Sequence, residues 1–135
     1  VIDLLKDMQE EFGVGIIFIT HDLGVVAEVA DRVAVMYAGE VVEAGDVREV
    51  FEKPKHPYTK ALLETLPHHG RSEGRLPVID GMVPPPTAWP SGCRFHPRCH
   101  FATPACGTDD VALVKVEGRQ HFSRCIRTDE INLNI

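Results

Sequence analysis

All ten prolines of this 135-residue chain lie at or after Pro54, and all four cysteines lie at or after Cys93. Proline cannot donate to a helix or a sheet ladder, so long regular elements are confined largely to the first half. Charge divides at nearly the same place. Residues 1–66 carry six Lys/Arg against thirteen Asp/Glu, whereas residues 67–135 carry eight against seven. An acidic, regular α/β half is therefore joined to a near-neutral, loop-rich half that holds the cysteines. The length suits one ordinary domain or two small ones. A net charge of −6 gives no overall electrostatic case for nucleic acid. Apolar runs fall well short of the ~20 residues of a membrane span. No signal-peptide pattern opens the chain, which begins with Val1 and reads as a fragment.

The first half is patterned throughout. Residues 1–12 place Val1, Leu4, Leu5, Met8 and Phe12 on one helical face, and Gly13 is a natural stop. Residues 14–20 (Val-Gly-Ile-Ile-Phe-Ile-Thr) form a continuous apolar run and predict a strand buried on both faces of a parallel sheet. Such sheets bind ligands beyond the carboxyl ends of their strands, which is where Thr20, His21 and Asp22 fall. Asp22 can cap a helix to about Ala30, with Leu23, Val26, Ala27 and Ala30 inward. Residues 32–37 and 41–44 read as a hairpin at the sheet edge, turned by Ala38-Gly39-Glu40. Gly45-Asp46 caps a short helix over 47–51. A further helix over 58–66 turns Tyr58, Ala61, Leu62 and Leu66 inward. Residues 67–74 read as a surface linker.

A histidine after a strand is commonly a cap or a hydrogen-bonding residue. Here its context carries more. Ile19-Thr20-His21-Asp22-Leu23, Asp31-Arg32-Val33-Ala34-Val35-Met36 and Gly39-Glu40-Val41-Val42-Glu43-Ala44-Gly45 together resemble the end of the nucleotide-binding subunit of ABC transporters. The resemblance implies that His21 is the switch histidine beside the γ-phosphate of ATP, helping to hold the attacking water and the catalytic carboxylate. An imidazole N–H can donate to a phosphate oxygen with little rearrangement. The sequence has no G-x-x-x-x-G-K-[ST] loop, no Ser-Gly-Gly signature and no apolar strand ending in Asp-Glu. The expectation is thus the C-terminal part of a P-loop ATPase, unable by itself to hydrolyse ATP.

The cysteines stand as C-x5-C-x6-C-x18-C. Disulfides suit secreted chains. Structural zinc commonly shows C-x2-4-C pairs, which are absent. Four free thiols in a proline-rich stretch with little other core would be surprising. A four-thiolate iron–sulfur cluster tolerates wider loops. Arg94, Arg98, Arg124 and Arg127 lie near the cysteines in sequence and would favour thiolates. His96, His100 and His121 are substitute ligands for zinc or, more simply, surface and hydrogen-bonding residues.

His56-Pro57-Tyr58-Thr59-Lys60-Ala61-Leu62-Leu63, Gly81-Met82-Val83-Pro84 and Pro90-Ser91-Gly92-Cys93-Arg94-Phe95-His96-Pro97-Arg98-Cys99 resemble the C-terminal extension of oligopeptide/dipeptide-type importer ATPases. The resemblance implies a 4Fe–4S cluster on Cys93, Cys99, Cys106 and Cys125, with zinc as the alternative, fixing the fold of an otherwise coreless segment. It further implies ATP and Mg2+ in the complete subunit, which sits peripherally on the cytoplasmic face of the membrane. The implied partners are two permease subunits, a second ATPase subunit and, indirectly, an external peptide-binding protein. The expected fold is α/β. Residues 1–66 are the end of the nucleotide-binding domain and residues 67–135 a small irregular metal-binding extension. A rival reading is a stand-alone metal-binding interaction module without catalysis.

Overall fold

Local chemistry sets most element boundaries in the computed structural model, which describes residues 1–67, 77–116 and 120–134. Helix α1 (Ile2–Phe12) ends at Gly13 in the left-handed conformation, φ 62°. Helix α2 (Leu23–Val29) begins where the Asp22 carboxylate accepts from the Val25 amide at 3.2 Å. Strands β1 (Arg32–Tyr37) and β2 (Glu40–Asp46) form the expected antiparallel hairpin. Its two-residue turn places Ala38 at φ 47° and Gly39 at φ 82°, the positive values that match the twist of paired strands. Asp46 accepts from the amides of Arg48 and Glu49 and starts α3 (Val47–Glu52). Helix α4 (Pro57–Glu64) starts on the ring of His56, with proline in its first turn. Three short 3-10 turns follow, at Pro86–Ala88, His96–Arg98 and Pro104–Gly107. The last elements are β3 (Val114–Lys115) and β4 (His121–Ser123).

The sheet order is β1-β2-β4-β3, and every pairing is antiparallel. The expected parallel sheet is therefore not what these residues build. Residues 14–20 are not a strand. They are exposed, with Ile17 and Ile19 more than 90% accessible. A strand exists only through its ladder, and no described segment lies alongside this one to supply it. The inward-facing residues of α1 meet the same fate, since none of that helix is buried.

The two halves share one sheet and one core. Strand β4, from the second half, pairs with β2 through Glu43–Ser123, Ala44–Phe122 and Gly45–His121. Gly45 permits that approach: a Cβ there would stand 3.1 Å from the Gln120 carbonyl oxygen and 3.3 Å from the His121 Cα. Phe95 enters the core of Val35, Tyr37, Val42 and Val50 and meets the Tyr37 ring edge-on at 5.2 Å. The extension thus has a core, though a borrowed one, contrary to the expectation of a segment held by metal alone. In α4 the expected Tyr58 and Leu62 pack against this core, while the most deeply buried residues are Pro57, Thr59 and Leu63, so the buried face is wider than the sequence suggested.

Truncating the phenyl ring leaves a void in that shared core. Phe95→Ala should cost about 3–5 kcal/mol of unfolding free energy in a denaturant titration. A loss below about 1 kcal/mol would mean that the extension does not depend on its seat against the hairpin.

Candidate metal centre

Cys93, Cys99, Cys106 and Cys125 come from three separate stretches of the second half and line one cavity. The 3-10 turns bring the first three together: Cys93 donates its amide to the Cys106 carbonyl at 2.8 Å, and Cys99 donates to the His96 carbonyl at 3.2 Å. Cys125 arrives directly after β4. All four are free thiols. Each of Cys93, Cys99 and Cys125 lies within electrostatic reach of two others of the set.

The sulfurs are oriented by local donors. The Phe101 amide donates to the Cys99 Sγ and the Thr103 amide to the Cys106 Sγ, each at 3.4 Å. The amides of Phe95 and Arg127 lean in the same way on Cys93 and Cys125. Burial nevertheless dominates, pushing the thiols of Cys93, Cys99 and Cys125 above their ordinary range. Without a metal these are protonated thiols at neutral pH. With one, the N–H donors would support the thiolates that ligation requires. Among the described residues, no three His, Cys, Asp or Glu side chains are grouped as a single metal ion would need.

The arginines do other work than expected. Arg94 donates to the Ala38 carbonyl at 2.6 Å and stacks on Trp89 at 3.6 Å. Arg98 donates to the carbonyls of Ile79 and Asp80, and Arg124 to those of Val41 and Val111. These three tie the extension to the hairpin and to its own loops, because a carbonyl within reach is a better partner than a neutral buried thiol. Arg127 alone of the four lines the cysteine cavity. Among the histidines, His96 lines the cavity while its Nδ1 lies 2.7 Å from the Cys93 carbonyl oxygen. His100 is exposed and does not line it, and His121 is buried on Glu43.

Two buried residues were missed at the level of sequence. His56 is 1% exposed, lines the cysteine cavity and accepts from the Tyr58 amide through Nδ1 at 3.1 Å. Burial lowers its pKa to about 3, despite the nearby Arg124 carbonyl, which favours the protonated ring. The available signal was a histidine directly before a helix-starting proline. Glu43, 0% exposed, accepts from the amides of Lys55 at 2.6 Å and His56 at 2.9 Å, and bonds His121 Nε2 at 2.5 Å. Its signal was a carboxylate between Val42 and Ala44 in the middle of β2.

His21 stands apart from this cavity. It is exposed, in a bend between Thr20, whose hydroxyl oxygen accepts from the Asp22 amide at 3.0 Å, and the Asp22 cap. Both neighbours are committed to shaping the turn, which leaves the His21 ring presented to solvent.

His56 makes stability pH-dependent. Its unfolded pKa of 6.5 exceeds the folded value of about 3, so the unfolded chain binds the extra proton. The metal-free chain should lose stability as pH falls from 6.5 towards about 3, by up to about 1.4 kcal/mol per pH unit from this group. His56→Asn keeps a cap acceptor but does not titrate, and should show a shallower slope in denaturant melts. Equal slopes for the two chains would remove His56 as the source.

Residues 42–106 match the family model described as the oligopeptide/dipeptide transporter, C-terminal region. A Brucella melitensis protein named for peptide import and ATP binding is 50% identical over 137 residues, spanning 97% of this chain and 40% of that protein. A Brucella ovis protein of the same designation gives the same figures. A second from Brucella melitensis is 43% identical over 125 residues, 93% of this chain and 37% of its own length. The chain therefore spans about 40% of the length of these relatives. Residues 42–106 are thus similar to the C-terminal region of oligopeptide/dipeptide transporters, and nearly the whole chain is similar to proteins named for peptide import and ATP binding.

Proposed function

We propose that this chain is the C-terminal part of the ATP-hydrolysing subunit of a di- or oligopeptide importer. The observation that carries the reading is similarity over 97% of the chain to proteins named for peptide import and ATP binding. That similarity includes residues outside the cysteine extension, which weighs against a stand-alone metal module. Residues 1–66 are the end of the nucleotide-binding domain and residues 67–135 the extension. The unpartnered apolar run at 14–20 has the character of a strand completed by other parts of such a domain.

In the complete subunit, ATP and Mg2+ are bound largely by other segments. His21 donates an N–H to a γ-phosphate oxygen and holds the attacking water in register, a role that suits an exposed ring just after the apolar run. Asp22 and Thr20 fix the turn from which the ring projects. The subunit sits peripherally at the cytoplasmic face, beneath two permeases, beside a second ATPase subunit, and is served indirectly by an external peptide-binding protein. The 135-residue chain alone lacks the phosphate-cradling loop and is inactive.

Cys93, Cys99, Cys106 and Cys125 would hold a 4Fe–4S cluster. Four thiols on one cavity, each beside an N–H donor, suit thiolate ligation. The cavity, about 20 Å3, is smaller than a four-iron cubane, so seating one requires the cysteine loops to move outward. Bound there, the cluster supplies a cross-link among the three stretches and a redox-active centre.

In the complete subunit, His21→Ala should lower ATP turnover by at least tenfold while nucleotide affinity stays within a few-fold, roughly the range for loss of a positioned proton-handling group. Unchanged turnover would remove His21 from the mechanism. Anaerobic purification of the chain should yield about four irons and four acid-labile sulfides with a broad visible band. One zinc without sulfide would replace the cluster by a structural ion, and a metal-free folded chain would remove the metal altogether.

A further inference from the structure

Glycine is the poorest helix former after proline, yet Gly24 stands in the first turn of α2. The reason lies beside it. A Cβ at Gly24 would come within 3.2 Å of the Asp22 Oδ1, closer than such atoms ordinarily pack. The bare position leaves room for the Asp22 carboxylate, which accepts from the Val25 amide at 3.2 Å. The main chain of Asp22 is engaged on both sides as well. Its amide donates to the Thr20 hydroxyl oxygen at 3.0 Å, and its carbonyl accepts from the Val26 amide at 3.1 Å. His21 lies inside the turn that these bonds close, with its side chain exposed. The turn is also fixed relative to the rest of the fold. Val26 is buried, and the Val47 amide at the start of α3 donates to the Asp31 carbonyl, just beyond α2, at 3.1 Å.

We propose that Asp22 is a positioning residue for His21, and that Gly24 keeps the room its carboxylate needs. The inference rests on the reading of His21 given above. An imidazole on a loose turn samples many directions, and only a few of them suit a γ-phosphate oxygen. The Thr20 hydroxyl and the Asp22 carboxylate close the turn on either side of His21, so the ring starts from one fixed backbone origin at the head of α2. Part of the entropy of aligning it is then met before the nucleotide arrives. Asp22 touches neither nucleotide nor attacking water, and its contribution passes through the His21 backbone. What matters in its carboxylate is the acceptor oxygen and not the charge, since a helix cap needs only an acceptor for the amide it faces.

The test compares kcat, KM for ATP and thermal midpoint in the complete subunit for Asp22→Ala, Asp22→Asn, Gly24→Ala, His21→Ala and the double variant His21→Ala/Asp22→Ala. Asp22→Ala should lower kcat at least about fivefold with KM nearly unchanged, because what is lost is alignment in the transition state. Asp22→Asn keeps the acceptor and should stay within about twofold of wild type. Gly24→Ala favours the helix but crowds the carboxylate, so kcat should fall while the thermal midpoint does not. In the His21→Ala background, Asp22→Ala should cost nothing more, since it acts only through the ring that is already gone. Three results would each overturn the proposal while leaving His21 in its role: Asp22→Asn as slow as Asp22→Ala, a further loss in the double variant, or an unchanged kcat in Asp22→Ala or Gly24→Ala. A His21→Ala subunit with full turnover would remove the reading of His21 and this inference with it.

Discussion

The structure turns on one buried carboxylate. Glu43 is fully enclosed, and an unpaired charge there would cost several kcal/mol in desolvation. Three donors offset that cost: the amides of Lys55 and His56, and the ring of His121. They come from the loop before α4 and from β4, segments that would otherwise have little reason to meet. Glu43 thus dictates where the second half of the chain crosses the hairpin. It also sets the His56 backbone, and through it the ring beside the cysteines. The cavity lined by the cysteines is thus aligned to the sheet from Glu43 in β2 through His56.

That anchoring changes what a metal would accomplish. A segment without a core would depend on its metal to fold at all. Here Phe95 is seated among Tyr37, Val35 and Val42, and Arg94, Arg98 and Arg124 occupy carbonyls of the hairpin and loops. The Arg94 contact also offsets the strain of Ala38, whose positive φ is unusual for a residue with a side chain. The extension is docked by aromatic packing and by guanidinium–carbonyl bonds before any ligand arrives. A cluster would rigidify the cysteine loops within a frame that already exists.

What the sequence made legible was local. Gly13, Asp22 and Asp46 end or start their helices as their types dictate, and the Ala38-Gly39 turn closes the hairpin where alternation placed it. Convergence was less accessible. Nothing in the spacing of the four cysteines says that they share a cavity with His56, because that depends on β4 crossing back to β2 from nearly eighty residues away. The arginines misled for the same reason. Nearness in sequence suggested thiolate partners, whereas the fold offered them carbonyls. Periodicity placed Tyr58 and Leu62 of α4 against the core but missed the buried Thr59 and Leu63, because the helix is covered on more than one side.

The apolar run at 14–20 teaches the opposite lesson. Its pattern is as strong as that of β1, yet β1 is a strand and the run is not. The difference lies in the partners. Residues 32–37 find theirs three to fourteen residues away across a tight turn, at small loop-closure cost. A parallel strand cannot do so, since its neighbours must come from distant crossovers. A solvent-facing Ile17 and Ile19 are therefore the mark of a segment whose sequence anticipates a sheet larger than the one the described residues form. Burial on both faces is a property of the whole sheet, and the strand's own residues can only announce that they expect it.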